Sequence, residues 1–179
     1  SGITRRVTPS TVVVAPFDVR DDRLSLWHEG MVDVLARDLD GAGPLRTVDP
    51  STGIGRWSGR SDRRSAVALG RATGAGLAIY GSISASGPDS VHASATLVNV
   101  VTGRPLGDVD AQDADSHIDR MCDSLTVQLL RELGRSRRWT AVGRGGSMGS
   151  SSPAAIAAYL QGEHWVRASN WDSALVSYD

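Results

Sequence analysis

The chain has 179 residues, enough for one domain with an appendage, and 40% of them are hydrophobic. Its formal net charge is −1, and all 19 basic side chains are arginine; with no lysine, Schiff-base chemistry, a Walker A phosphate loop and kinase-type phosphate anchoring are excluded. A single cysteine, Cys122, excludes an intrachain disulfide and a zinc cluster, and no apolar run approaches the roughly 18 residues of a membrane-spanning helix.

In chain order, Thr11 to Phe17 is a β-branched run closed by Pro16-Phe17-Asp18, which predicts a buried first strand. A polar turn follows from Asp18 to Asp22. From Leu24 to Leu39, Trp27, Met31, Val34, Leu35 and Leu39 share one helical stripe, and Gly41-Ala42-Gly43-Pro44 stops that helix. Leu45 to Val48 is a short second strand. Ser61-Asp62 caps a second helix to about Thr73, with Ala66, Leu69 and Thr73 facing inward and Gly74-Ala75-Gly76 at its end.

Leu77 to Ser84, Val91 to Val101 and Arg104 to Ala111 then read as three strands. Turn signals at Gly87-Pro88-Asp89 and Thr102-Gly103 make them an antiparallel meander. Asp115-Ser116 starts a third helix to about Leu133, whose core stripe is Ile118, Met121, Cys122, Leu125, Leu129 and Leu133, closed by Gly134. The order β-α-β-α-β-β-β-α defines an α/β fold with a mixed five-stranded sheet. Its early crossovers favour parallel strands and its hairpins require antiparallel ones.

Residues 135–152 begin with arginines and pass into the Gly/Ser tract GRGGSMGSSS, the composition of a linker. In 153–179, Pro153 suits a helix start. Gly162, Trp165, Trp171, Ala174 and Tyr178 follow the spacing Gly-x2-aromatic-x5-aromatic-x2-Ala-x3-aromatic. That pattern resembles a tetratricopeptide repeat that stops before its second helix is complete. Roughly three repeats are needed to bury a stable core, so the array is expected to continue in a longer protein.

The segments VVVAPFDV (Val12 to Val19), HEGMVDVLARDL with Gly30, and above all GAGLAIYGSISASGPDSVHASATLVNVVTGRPL (Gly74 to Leu106) resemble the TolB amino-terminal-like domains of bacterial signalling proteins. In that family these domains precede tetratricopeptide arrays and follow serine/threonine kinase or adenylate cyclase domains. Asn99 departs from the family, which commonly has an acidic residue there. The resemblance implies a division into a TolB amino-terminal-like domain (1–134), a linker (135–152) and a truncated repeat (153–179). It allows a place in the extracytoplasmic part of a membrane-anchored signalling protein without fixing the side of the membrane, and it carries no catalytic residue.

No spacing in the sequence marks a catalytic centre; a Ser-His-Asp triad, assembled in space rather than in sequence, stays open as the hydrolase alternative. Gly143 to Gly149 lacks the preceding strand and the lysine of a phosphate loop. Asp108, Asp110, Asp113, Asp115 and His117 lack the glycine and terminal glutamate of a calcium loop, and on a strand Asp108 and Asp110 share a solvated face. Asp115 doubles as a helix cap. The turn at Asp18, Asp21 and Asp22 reads the same way. His28, His92, His117 and His164 are dispersed, no Gly-x-Ser-x-Gly elbow follows a strand, and Cys122 sits on an apolar stripe as a small core residue.

Two arginine groups stand out: Arg56, Arg60, Arg63, Arg64 and Arg71, then Arg131, Arg135, Arg137, Arg138 and Arg144. The second follows a helix C-terminus, where cations offset the dipole. No cofactor or metal is expected, and the overall charge argues against nucleic acid. The expected function is a non-catalytic sensory or protein-interaction region with a protein or peptide ligand. Its partner-binding candidates are Tyr159, Trp165, Trp171 and Tyr178, with homodimerisation through the C-terminal helices as an addition. The alternative is a small-molecule pocket at the carboxyl ends of the parallel strands, near Phe17-Asp18 and Val48-Asp49.

Overall fold

In the computed structural model the described residues are 6–137. β1 (Thr8–Val14) leads to a two-residue strand β2 (Asp18–Val19), a 3-10 turn at Asp22–Leu24 and the helix α1 (Trp27–Leu39). β3 (Arg46–Thr47), α2 (Pro50–Arg56) and α3 (Arg63–Thr73) follow. The long strands β4 (Ala75–Ala85), β5 (Ser90–Asn99) and β6 (Pro105–Ala114) come next, and a 3-10 turn at Asp115–His117 enters α4 (Ile118–Arg137).

The sheet order is β3-β1-β4-β5-β6, with β2 alongside β4 beyond the end of β1. Pairing is parallel among β1, β3 and β4 and between β2 and β4, and antiparallel from β4 through β6. The mixed α/β class is the one the sequence predicts, but the sheet has six strands rather than five. Asp18-Val19, expected as part of a turn, pairs with Ser82 and Ile83. The helix α2 also escaped the sequence-derived order. Asp49 accepts from the Ser51 amide at 2.9 Å and Pro50 opens the helix. Those start signals are diluted by Gly53 and Gly55, each a poor helix former.

The other boundaries follow local chemistry. Asp62 caps α3 by accepting from the Ser65 amide at 2.8 Å, and Gly74 ends it in the left-handed conformation with φ 78°. Asp115 lies inside the 3-10 turn before α4 and is not a side-chain cap, and α4 continues through Gly134 to Arg137.

One sheet face is closed by α1 and α4. Met31, Val32, Leu35 and Leu39 of α1 and Met121, Leu125, Leu129 and Leu133 of α4 meet Leu77, Ile79, Ile83 and Leu97 from the strands. Most of these side chains are wholly buried, and each contributes roughly 1.5–3 kcal/mol. On the other face α3 packs Ala66 and Leu69 on Val13, Ala78 and Val100. That cover lies over β1, β4 and the adjoining end of β5.

Between the end of β1 and the start of β2, Ser61 takes the place of a strand partner for Gly81. Its hydroxyl donates to the Gly81 carbonyl at 2.6 Å and accepts from the Gly81 amide at 3.0 Å. A Cβ on Gly81 would lie 2.7 Å from Phe17 Cε2 and closer still to the Ser94 carbonyl. Only glycine lets the Phe17 ring lie on the strand here.

Candidate interaction face

Beyond α3, the second sheet face is polar. Alternate residues of β4 and β5 face it: Ser82, Ser84, His92, Ser94 and Thr96 are half-buried, while Asp108 and Asp110 on β6 are exposed. Period-two alternation puts Ile83, Ala93, Ala95 and Leu97 on the opposite, closed face. The polar groups are knitted across the strands. The Ser82 and Ser94 hydroxyls are 3.1 Å apart, Thr96 Oγ1 donates to Asp108 Oδ1 at 2.6 Å, and His92 Nε2 lies 3.2 Å from Asp110 Oδ2. Such cross-strand pairs add fractions of a kcal/mol each; the His92–Asp110 pair is exposed and contributes little.

At the α3 edge this face meets a groove of about 630 Å³ between α3 and the turn that joins β5 to β6. Arg63, Arg64 and Arg71 from α3 and Arg104 from the turn surround it, with Val67 and Ala68 in its lining. The turn that carries Arg104 is held by its own side chains. Asn99 Oδ1 accepts from the amides of Val101 at 3.0 Å and Thr102 at 3.1 Å, and the Arg104 amide donates to Thr102 Oγ1 at 3.3 Å. The side-chain carbonyl of Asn99 thus performs the turn-forming role available to an aspartate at this position. Val101, beside it, is 64% exposed.

Three carboxylates, of which Asp62 adjoins the groove in sequence, are committed to local structure. Asp62 is held below its ordinary value, first by the Ser65 amide and then by the Ser65 hydroxyl, Arg64 and Arg60. Asp21 is lowered chiefly by Arg23 and Asp49 chiefly by the Ser51 hydroxyl. All three are turn or helix caps.

The sequence-derived candidates are distributed as follows. Tyr159, Trp165, Trp171 and Tyr178, the Gly143 to Gly149 tract, His164, Arg138 and Arg144 lie outside the described residues. Of the first arginine group, Arg63, Arg64 and Arg71 share the groove, whereas Arg56 and Arg60 are exposed outside its lining. Arg104 belonged to neither group; only the folding back of the meander places it opposite α3. Arg135 pairs with Glu132 at 3.2 Å on α4.

The acidic cluster separates. Asp108 and Asp110 face the open sheet, Asp113 meets Arg120 at 3.2 Å, and the Asp115 amide donates to the Asp89 carbonyl at 2.9 Å. Among the described residues no group of three or more His, Cys, Asp or Glu could hold a metal ion. His28 Nδ1 lies 2.6 Å from the Phe17 carbonyl. Cys122 is fully buried, its Sγ 3.7 Å from Met31 Sδ. Burial, then Asp38, Asp123 and Asp119, push its thiol up to about 12, so it stays protonated and unreactive at neutral pH.

At the carboxyl ends of the parallel strands Phe17 is wholly buried and α2 rests on β1, with Gly53 at Val13 and the Val14 carbonyl. A groove of about 350 Å³ opens to one side, lined by Asp33, Arg37, Asp40, Thr47 and Asp49. What sequence reasoning missed is the serine and threonine alternation that marks the open face. That signal was present at Ser82, Ser84, Ser94 and Thr96.

A mixed sheet closed on one face and half open on the other defines a small α/β domain. A family model of the TolB amino-terminal domain matches residues 3–106, and the chain belongs to that family. Among solved structures, it is similar to TolB from Acinetobacter baumannii, with 14% identity and a TM-score of 0.54 over 82% of this chain and 32% of that one. This chain therefore spans about a third of that TolB chain. It is also similar to the lipoprotein GNA1162 from Neisseria meningitidis, with 20% identity and a TM-score of 0.50 over 68% of this chain and 96% of that one. At these identities the likeness is one of fold. No curated protein matches the sequence. No helix among the described residues is long and apolar enough to cross a membrane.

Proposed function

We propose that this is a non-catalytic protein-interaction region of a bacterial signalling protein, and that it engages its partner through the open half of the sheet and the arginine rim beside it. The observation that carries the reading is the contrast between half-buried, hydrogen-bonded Ser82, Ser94 and Thr96 and the apolar residues that alternate with them. A pre-ordered polar surface next to an exposed Val101 suits a protein partner. The state of Cys122, buried with its thiol held protonated, supports a role without nucleophilic chemistry.

Within this reading 1–134 is the TolB amino-terminal-like domain, 135–152 a linker and 153–179 the start of a tetratricopeptide array, in a protein whose catalytic part is a serine/threonine kinase. The test is site-specific photocrosslinking in the full-length protein, with the probe at Ser94 or Asp108 and controls at Asp33 and Ser124 on the helical side. Adducts at the sheet positions alone are expected; equal crosslinking everywhere, or none at Ser94, would sink the reading. The rival, small-molecule sensing, has the groove beside Thr47 and Asp49 as its site. Thermal-shift screening separates the two, since a ligand at about 100 times its dissociation constant adds ~2.7 kcal/mol.

A further inference from the structure

We infer that the groove between α3 and the β5–β6 turn binds an acidic segment of a partner polypeptide, with carboxylates held by Arg63, Arg64, Arg71 and Arg104. The inference rests on the protein-interaction reading above and names the chemistry of the partner at that face.

The fold makes little use of these arginines: among the described residues Arg64 helps hold down the Asp62 carboxyl, and that is a minor cause beside the Ser65 amide and hydroxyl. None of the four makes an ion pair or side-chain hydrogen bond among the described residues. Arg23, Arg120 and Arg135, by contrast, each have a carboxylate within 3.2 Å. Arg63 and Arg64 stand in the first turn of α3, which holds no acidic residue. Cations there oppose the helix dipole. Asp62, adjacent in sequence, spends its carboxylate on the helix cap. Four exposed guanidinium groups are thus gathered with their donor forks free, and a bidentate carboxylate is the group that satisfies such forks.

The surroundings select a polypeptide over a phosphate polymer. Val67 and Ala68 in the lining, and Val101 at 64% exposure on the adjoining turn, offer apolar contact to side chains. Arg104 rides on a turn already fixed through Asn99, so little ordering is lost on binding. Asp108 and Asp110 stand exposed further along the same strand. Asp108 follows at roughly 13 Å, near the screening length. A uniform polyanion, whether a lipid surface or a nucleic acid, meets repulsion there. A polypeptide with acidic residues over the groove and a basic or neutral continuation does not.

The test uses the whole chain and a short, capped, fluorescein-labelled peptide of alternating glutamate and leucine, read by anisotropy. R71E/R104E is expected to weaken binding at least about tenfold, and R20E/R131E, an equal change of charge at exposed sites elsewhere, less than about twofold. Replacing the glutamates of the peptide by glutamine should abolish binding, and added salt should weaken it. Equal loss in both double variants, or in neither, overturns the proposal. So does a peptide that does not bind while phosphatidylglycerol vesicles or a single-stranded oligonucleotide do and are released by R71E/R104E. Circular dichroism melts check the fold of each variant, and R71Q/R104Q replaces the reversal if that does not fold. If the peptide fails while the Ser94 probe still crosslinks, this inference alone falls; if Ser94 does not crosslink in the wild type, the broader reading falls.

Discussion

The two faces of the sheet are built from the same three long strands and have opposite chemistry. On the α1–α4 face, Leu77, Ile79, Ile83 and Leu97 are wholly buried. On the other, α3 covers Ala78 and leaves Ser82, Ser94 and Thr96 half-buried and bonded to their neighbours. One face supplies the stability of the domain, and the other is ordered without contributing much to it. A surface that is fixed in position yet inexpensive to change is suited to carry specificity, because substitution there alters contacts without unfolding the scaffold.

The sharpest way to break this contrast is through the closed face. Leu125→Ala, at a fully buried position on α4, should lose about 2–5 kcal/mol of unfolding free energy by urea titration. A loss below about 1 kcal/mol would show that α4 does not close the core. Next comes the seam between the faces. Gly81→Ala forces a Cβ toward Phe17 Cε2 and the Ser94 carbonyl, and should cost about 1–3 kcal/mol with strain on both faces. An unchanged melting midpoint would mean that the Phe17 ring is free to move off the strand.

Most of the closed face was legible in the sequence, because helical and strand periodicities report burial directly. The stripes Met31, Leu35, Leu39 and Met121, Leu125, Leu129 are fully buried or nearly so, while Val34 is only partly buried and Val32 takes its place. The misses have physical causes. Two residues are too few for Asp18-Val19 to show a strand period, and the glycines of α2 mask its Asp-Pro start. The candidate groove was half legible: Arg63, Arg64 and Arg71 recur on one helix, but Arg104 joins them only through tertiary folding, which no local pattern records. Tyr159, Trp165, Trp171 and Tyr178 lie outside the described residues and stand as proposals.

Cys122 sharpens the comparison through pH. Its folded-state thiol is raised from 9.0 to about 12, first by burial and then by Asp38, Asp123 and Asp119. The unfolded chain therefore releases this proton first as pH rises, and the unfolded state is favoured. The contribution is complete below about pH 9, and stability falls progressively from there to about pH 12. Cys122→Ala should flatten the alkaline limb of a stability-versus-pH curve relative to wild type. Parallel curves would show that water reaches the thiol and that this face is less closed than its burial indicates.

Asn99→Ala removes the acceptor for the Val101 and Thr102 amides. It should cost about 1 kcal/mol, the scale of a lost turn hydrogen bond, whereas Asn99→Asp keeps the acceptor and the stability. Because the turn positions Arg104, N99A should also weaken the glutamate peptide in the groove more than its stability cost explains. Equal peptide affinity in N99A and wild type would dissociate the turn from the groove.

The smallest expected effect lies on the open face and is the most diagnostic for the comparison. Ser94→Ala breaks the 3.1 Å contact with Ser82, but Ser82 is half-buried and water can replace the lost partner. The unfolding free energy should therefore change by less than about 0.5 kcal/mol. The same substitution sits where the partner is proposed to dock, so it should alter crosslinking yield from Asp108 while the urea midpoint stays put. A destabilisation like that of Leu125→Ala would make the serine ladder part of the core, and the division of labour between the two faces would fail.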